Sequence, residues 1–184
     1  MSQLIRFLVL SLVCLLAGCA SLRHDPYAAA VLMPLPPAEG PSPQLLKQTA
    51  TFESRGKSLS FIVVSRFDQQ QVKLLALMPT GQTMTTIVYD DTGLTQKDVI
   101  PVKLPGKSIL ATFQFALWPV ASLRQHYTAE RHWSLSTAAN RRQLWHDGTL
   151  ILDIDTDQQT TRIHNYAGKY QVTIHTLEQM DLRK

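Results

Sequence analysis

Apolar and polar residues alternate in short runs through most of the chain, with one stretch where the spacing becomes helical. From residue 49 the runs have strand length, at 49–57, 58–66, 72–78, 84–90 and 94–102. In the second run Leu59, Phe61 and Val63 share one face while Ile62 and Val64 take the other, the period-two signature of a strand. Asp68 to Gln71, Pro79-Thr80-Gly81 and Asp91-Thr92-Gly93 interrupt the runs about every ten residues, which predicts an antiparallel meander. The period then changes. Across 107–127 the apolar positions Ile109, Leu110, Phe113, Leu117 and Val120 fit a helix, and Pro119 is expected to split it, with 121–127 as the second piece. Strands resume at 132–137, 141–146, 150–155, 160–166 and 170–177. Between the second and third of these lies Asp147-Gly148, a pair suited to a type I′ hairpin turn. Leu150, Leu152 and Ile154 point one way, opposite Ile151, Asp153 and Asp155; Tyr170, Val172 and Ile174 alternate with Gln171, Thr173 and His175. One apolar face and one wet face fit a curled sheet or barrel. The expectation is a mainly β fold of about ten strands with a central helical insertion, α+β in class.

The first predicted helix carries Phe113, Phe115, Leu117 and Trp118, more apolar surface than one exposed helix needs. Two readings follow. The helix plugs the core of the sheet with its own side chains, or it is a lid over an apolar cavity, with Phe113, Leu117 and Trp118 as cavity or lid residues.

Ahead of the strands the texture differs twice. Arg6 precedes an apolar run from Phe7 to Leu16 broken only by Ser11, about the length of a signal-peptide core and too short for a permanent membrane span. Ala17 and Gly18 are small, and Cys19 follows directly. Leu16-Ala17-Gly18-Cys19 resembles the lipobox of bacterial lipoproteins. That resemblance implies cleavage between Gly18 and Cys19, a diacylglyceryl group on the Cys19 thiol and acylation of the new amine. Two or three acyl chains give stable membrane attachment where one does not. Ala20 and Ser21 follow, with no aspartate in the first mature positions; by the same resemblance this favours the outer membrane, facing the periplasm, over the inner membrane. Met33-Pro34-Leu35-Pro36-Pro37 and Gly40-Pro41-Ser42-Pro43 then favour extended backbone. The expected organisation is a signal peptide at 1–18, a lipidated cysteine and Pro-rich tether at 19–48, and one β domain at 49–184 with its helices near 107–127. Val31, Leu32 and Leu35 leave room for part of the tether to lie along the domain.

Composition narrows the partners. The formal net charge is +4; removing residues 1–18 takes away Arg6 and no acid, leaving 17 basic against 14 acidic residues. There is no basic run with interleaved aromatics, so nucleic acid is not an expected partner. By the lipobox resemblance Cys14 would leave with the signal peptide and Cys19 would carry lipid, which would leave no thiol for a disulfide in the mature chain. Catalytic motifs are missing: no His-Glu-x-x-His, no Gly-x-Ser-x-Gly and no P-loop. Asp153-Ile154-Asp155-Thr156-Asp157 opens like a calcium loop but has no glycine at its sixth position, and His164 stands where a bidentate glutamate belongs. Strand alternation explains those aspartates. His126, His132 and His146 lack ligand spacing and read as surface or rim residues, and Arg141-Arg142 as a solvated turn pair. No metal, cofactor or enzymatic activity is expected.

The layout as a whole, a lipobox, a Pro-rich tether, strands, a helical pair and more strands, resembles the LolA/LolB group. That group implies an incompletely closed antiparallel β-barrel, capped by a helical lid, around a cavity for lipoprotein acyl chains. Trp145-His146-Asp147-Gly148-Thr149-Leu150 and the stretch from Asn165-Tyr166 to Tyr170 are also similar to a family of bacterial lipoproteins with a domain of unknown function, found with aryl polyene biosynthesis genes. The resemblance implies a membrane-anchored protein that binds or hands over an acyl-bearing molecule: a lipid, lipoprotein acyl chains or an aryl polyene lipid. The alternative is a structural or adaptor lipoprotein that docks onto protein partners of an envelope synthesis or export complex.

Overall fold

The structure, a computed structural model, describes Asp25, residues 27–101 and residues 104–183. The lipobox, with Gly18 and Cys19, lies outside the described residues. Ten strands form one antiparallel sheet: β1 (Gln44–Ser54), β2 (Lys57–Phe67), β3 (Val72–Leu77), β4 (Thr83–Asp90), β5 (Gly93–Asp98), β6 (Trp133–Thr137), β7 (Arg141–His146), β8 (Thr149–Asp157), β9 (Thr160–Asn165) and β10 (Tyr170–Asp181). Two short helices, α1 (Gly106–Leu117) and α2 (Val120–His126), sit between β5 and β6. No helix among the described residues is long and apolar enough to cross a membrane. The strand order is β5-β4-β3-β2-β1-β10-β9-β8-β7-β6. Two five-stranded meanders are therefore joined through β1 and β10, and the sheet is not closed.

Each hairpin has its local cause. Asp147 and Gly148 both adopt positive φ, 46° and 73°, as a type I′ turn requires. Asp68 and Asp90 bind backbone N–H groups of the residues after them, Gln71 at 2.8 Å and Thr92 at 2.9 Å, the Asx geometry that reverses a chain. β5 ends at Asp98, short of the expected residue 102, where side-chain bonds replace the ladder: Thr85 Oγ1 donates to Asp98 Oδ1 at 2.7 Å and Gln96 Nε2 at 2.8 Å. Pro119 separates the two helices, because its ring cannot donate the bond that would continue α1.

The inner face of the sheet carries Leu46 and Ala50 on β1, Phe67 on β2, Val72 and Leu74 on β3, Ile87 on β4, Leu152 and Ile154 on β8, Ile163 on β9 and Ile174 on β10, all buried. The outer face is wetter. Arg141 donates through Nε to Asp153 Oδ1 at 2.8 Å, in the wet position that strand alternation assigns to this aspartate. That hydrogen bond, ahead of the partly offsetting desolvation, holds the Asp153 carboxyl below its usual range.

A group with a depressed native pKa stabilises above its unfolded value, and the contribution disappears as pH falls through the native one. Asp153→Asn should therefore cost roughly 0.5–1 kcal/mol at neutral pH, as partly exposed pairs do. In urea titrations the gap between wild type and variant should close as the pH is lowered.

Candidate functional site

The candidate site is the inner face where α1 lies on it. The helix starts at a tight approach: Gly106 N donates to Gln96 Oε1 at 3.1 Å, and a Cβ on Gly106 would fall 2.0 Å from that oxygen. Gln96 Nε2 reaches the Leu104 carbonyl at 2.9 Å, so one β5 side chain fixes where α1 begins.

From there α1 touches both halves of the sheet. Phe113 stacks on Phe67 of β2 at 5.8 Å, and Trp118, just past the helix, meets the same ring edge-on at 5.8 Å. Phe115 packs edge-on against Tyr127 at 5.7 Å, and Tyr127 against Trp133 of β6 at 5.3 Å. Trp133 continues to His146 at 4.5 Å. Of the residues proposed from sequence, Phe113 and Trp118 are buried and meet on Phe67. Leu117 is half-buried and packs against the core beside them.

Polar contacts, invisible in the sequence pattern, orient the helix. Arg142 does not lie in a solvated turn. Within β7 it faces inward while its neighbour Arg141 faces outward, because successive residues of a strand point to opposite sides. Its Nη1 donates to the Trp118 carbonyl at 2.7 Å and the Phe115 carbonyl at 3.0 Å, filling acceptors left open at the helix C-terminus. Burial lowers the Arg142 pKa from the ordinary guanidinium range. On the opposite flank Asn165 Nδ2 donates to Tyr170 Oη at 2.9 Å and to Thr112 Oγ1 at 3.3 Å, with Thr112 and Tyr170 hydroxyls 3.1 Å apart. Desolvation raises the Tyr170 phenol above its ordinary value, against the bonds from Thr112 and Asn165.

The Pro-rich segment is docked here over residues 30–40. Ala30, Leu32 and Leu35 are buried while Val31 and Met33 are exposed, the alternation of an extended strap. Gln114 of α1, fully buried, accepts from Leu35 N and donates to Leu35 O, both at 2.8 Å. Glu39 Oε2 binds Ser122 Oγ and His126 Nε2 of α2, both at 2.8 Å. Burial of Ala30, Leu32 and Leu35 explains why an extended, proline-bearing segment packs. No periodic signal in a sequence shows that its backbone will be bonded by a glutamine 79 residues away.

Three buried polar atoms among the described residues have no hydrogen-bond partner: Gln48 Oε1, Ser65 Oγ and Tyr127 Oη. Gln48 and Ser65 face inward on β1 and β2, and β2 also carries Phe67. Burial alone pushes the Tyr127 hydroxyl well above its normal ionisation range.

A model of a family described as a protein of unknown function, DUF3261, matches residues 45–178. The chain belongs to the DUF3261 family. The matched region of this DUF3261 protein runs from the start of β1 into β10 and includes both helices. The strap at residues 30–40 lies ahead of it. No curated protein matches the chain.

Gln114→Met removes both bonds to Leu35 and leaves two backbone groups buried without partners. The expected loss is about 2–4 kcal/mol, read from urea unfolding. Amide exchange at Leu35 should accelerate more than exchange in β8.

Proposed function

We propose that this DUF3261 protein is a membrane-anchored, non-catalytic envelope protein of LolB-like construction, an incompletely closed barrel with α1 as its lid. It binds or hands over an acyl-bearing or otherwise apolar molecule, such as a lipid, lipoprotein acyl chains or an aryl polyene lipid. Its place is the outer membrane, facing the periplasm, with the lipid on Cys19 as anchor. The observation that carries the reading is the cover itself. α1 and the residue after it lay Phe113 and Trp118 on Phe67 of an apolar sheet face, where unpartnered Gln48 Oε1 and Ser65 Oγ are also buried.

A buried polar atom without a partner costs about 1–3 kcal/mol. A guest with an apolar tail and a hydroxyl, amide or acid end would replace helix contacts with its own and satisfy such atoms. The polar side chains around α1 hold backbone groups of the helix and strap rather than converging on one reacting point. This supports binding over catalysis. Besides its apolar packing, α1 is held by the polar contacts of Gln96, Gln114, Asn165 and Arg142, and its release as a lid would break these.

The outer face favours a second reading, a structural or adaptor lipoprotein of an envelope complex. One row across five strands reads Lys47, Val64, Leu75, Thr86 and Lys97. Half-buried Ile62, Leu77 and Val88 flank it. Its apolar part, Val64 and Leu75 with Ile62, Leu77 and Val88 beside them and Lys47 and Lys97 at the ends, is what a partner would cover.

Fluorescence of cis-parinaric acid separates the two, using residues 20–184 secreted to the periplasm without lipid. Arg142→Gln loosens α1 and should raise probe uptake several-fold over wild type. Absence of uptake by both proteins would sink the carrier reading in favour of the adaptor. The anchor is tested apart: Cys19→Ser should abolish incorporation of labelled palmitate, and persistent labelling would show that Cys19 is not the lipidated residue.

A further inference from the structure

Pairing of β1 with β10 brings together two hairpin ends that lie more than a hundred residues apart in sequence. Ser54 Oγ donates to the Lys169 carbonyl at 2.9 Å, and Phe52 packs on Tyr170 at 5.2 Å. Between the hairpins opens a cleft of about 570 Å³. Arg55 and Lys57 line one wall and Lys169 the other, with His164, Tyr166 and the acid Glu53 also at the cleft. None of these three basic residues forms an ion pair among the described residues. His164 and Tyr166 stack at 3.9 Å, 11° from parallel, and present a flat side.

Each wall has a cation in a left-handed turn position, a conformation that His132, Asp147 and Gln158 also adopt elsewhere in the chain. Arg55 has φ 51° and Lys169 φ 56°, a left-handed conformation that glycine and asparagine adopt at low cost and long side chains do not. Asparagine or glycine would make the better turn at both positions. Turn stability therefore gives no reason for a cation at either, and both cations face one cleft.

We propose that this cleft binds a phosphate-bearing anion, with Arg55, Lys57 and Lys169 contacting its oxygens from two sides. Charge-assisted bonds from an Arg fork and separate Lys ammonium groups suit an anion that offers several oxygens in different directions. The cleft is larger than phosphate alone, and the His164–Tyr166 pair would flank whatever group the phosphate carries. Tyr170 also lines the cleft, and its hydroxyl lies 3.1 Å from that of Thr112 of α1. The site does not depend on α1 being a lid. A phosphate of this kind is supplied by a lipid headgroup or by a free phosphate, and the two are separable.

The test uses the mature protein with its lipid, ¹⁵N-labelled, in dodecyl maltoside micelles, whose headgroups carry no phosphate. Amide shifts of residues 54–58 and 164–171 are followed on titration with inorganic phosphate, and again with phosphatidylglycerol added to the micelles. Shifts with inorganic phosphate identify a free-anion site; shifts only with phosphatidylglycerol identify a headgroup site. Arg55→Asn with Lys169→Asn should weaken the response about tenfold or more while the melting temperature stays level or rises, because both turns are improved. Lys57→Gln, outside the strained turn positions, should weaken it too, and Lys73→Gln on β3 should not. Silence of these amides in both arms would overturn the proposal, as would an undiminished response in the double variant.

Discussion

The ladder between β1 and β10 is the constraint on which the rest of the sheet depends. Each half of the chain makes its own meander from neighbouring hairpins, and within the sheet only this ladder joins the halves. It runs from Gln44 opposite Asp181 to Glu53 opposite Gln171, with one register shift at Lys47/Gln48. Closing a loop of more than a hundred residues costs chain entropy that local hairpins do not face, so the ladder needs reinforcement. It has some from α1, whose Phe113 packs on β2 in one half while Phe115, through Tyr127, reaches Trp133 of β6 in the other. Strand order then dictates where the helices go. With β5 and β6 at opposite edges, the chain between them has to pass from one edge to the other, and its apolar residues find burial on the inner face.

Apolar burial and polar contact divide the work on α1. The aromatic rings supply most of the contact area but little direction, since dispersion and the hydrophobic effect are tolerant of small slides. Gln96 at the start, Gln114 in the middle and Arg142 at the end bind groups of the backbone, and these fix the helix axially. None of these contacts belongs to a strand ladder, and it is on this that the proposed lid rests.

The same β1–β10 ladder produces the basic cleft. Neither hairpin is a site alone; side by side they place Arg55, Lys57 and Lys169 around one opening. Fold and cleft thus have one cause.

Much of this was legible in the sequence, and the remainder was not for a definite reason. Strand-length apolar runs and regularly spaced turns marked about ten strands, the shift to helical spacing marked α1 and α2, and Pro119 marked the break between them, because backbone geometry ties each of these to residues a few positions apart. The burial of Phe113 and Trp118 could be anticipated from their apolar crowding. What tertiary structure alone decided were the pairings across long separations: β1 with β10, Gln114 with Leu35, Arg142 with the end of α1. Arg142 shows why. Next to Arg141 it reads as half of a solvated pair, and only placement in β7 sends one guanidinium to Asp153 outside and the other to helix carbonyls inside. Periodicity states which residues share a face; what that face meets is set by chain topology, where the partner comes from a distant segment and carries no local mark.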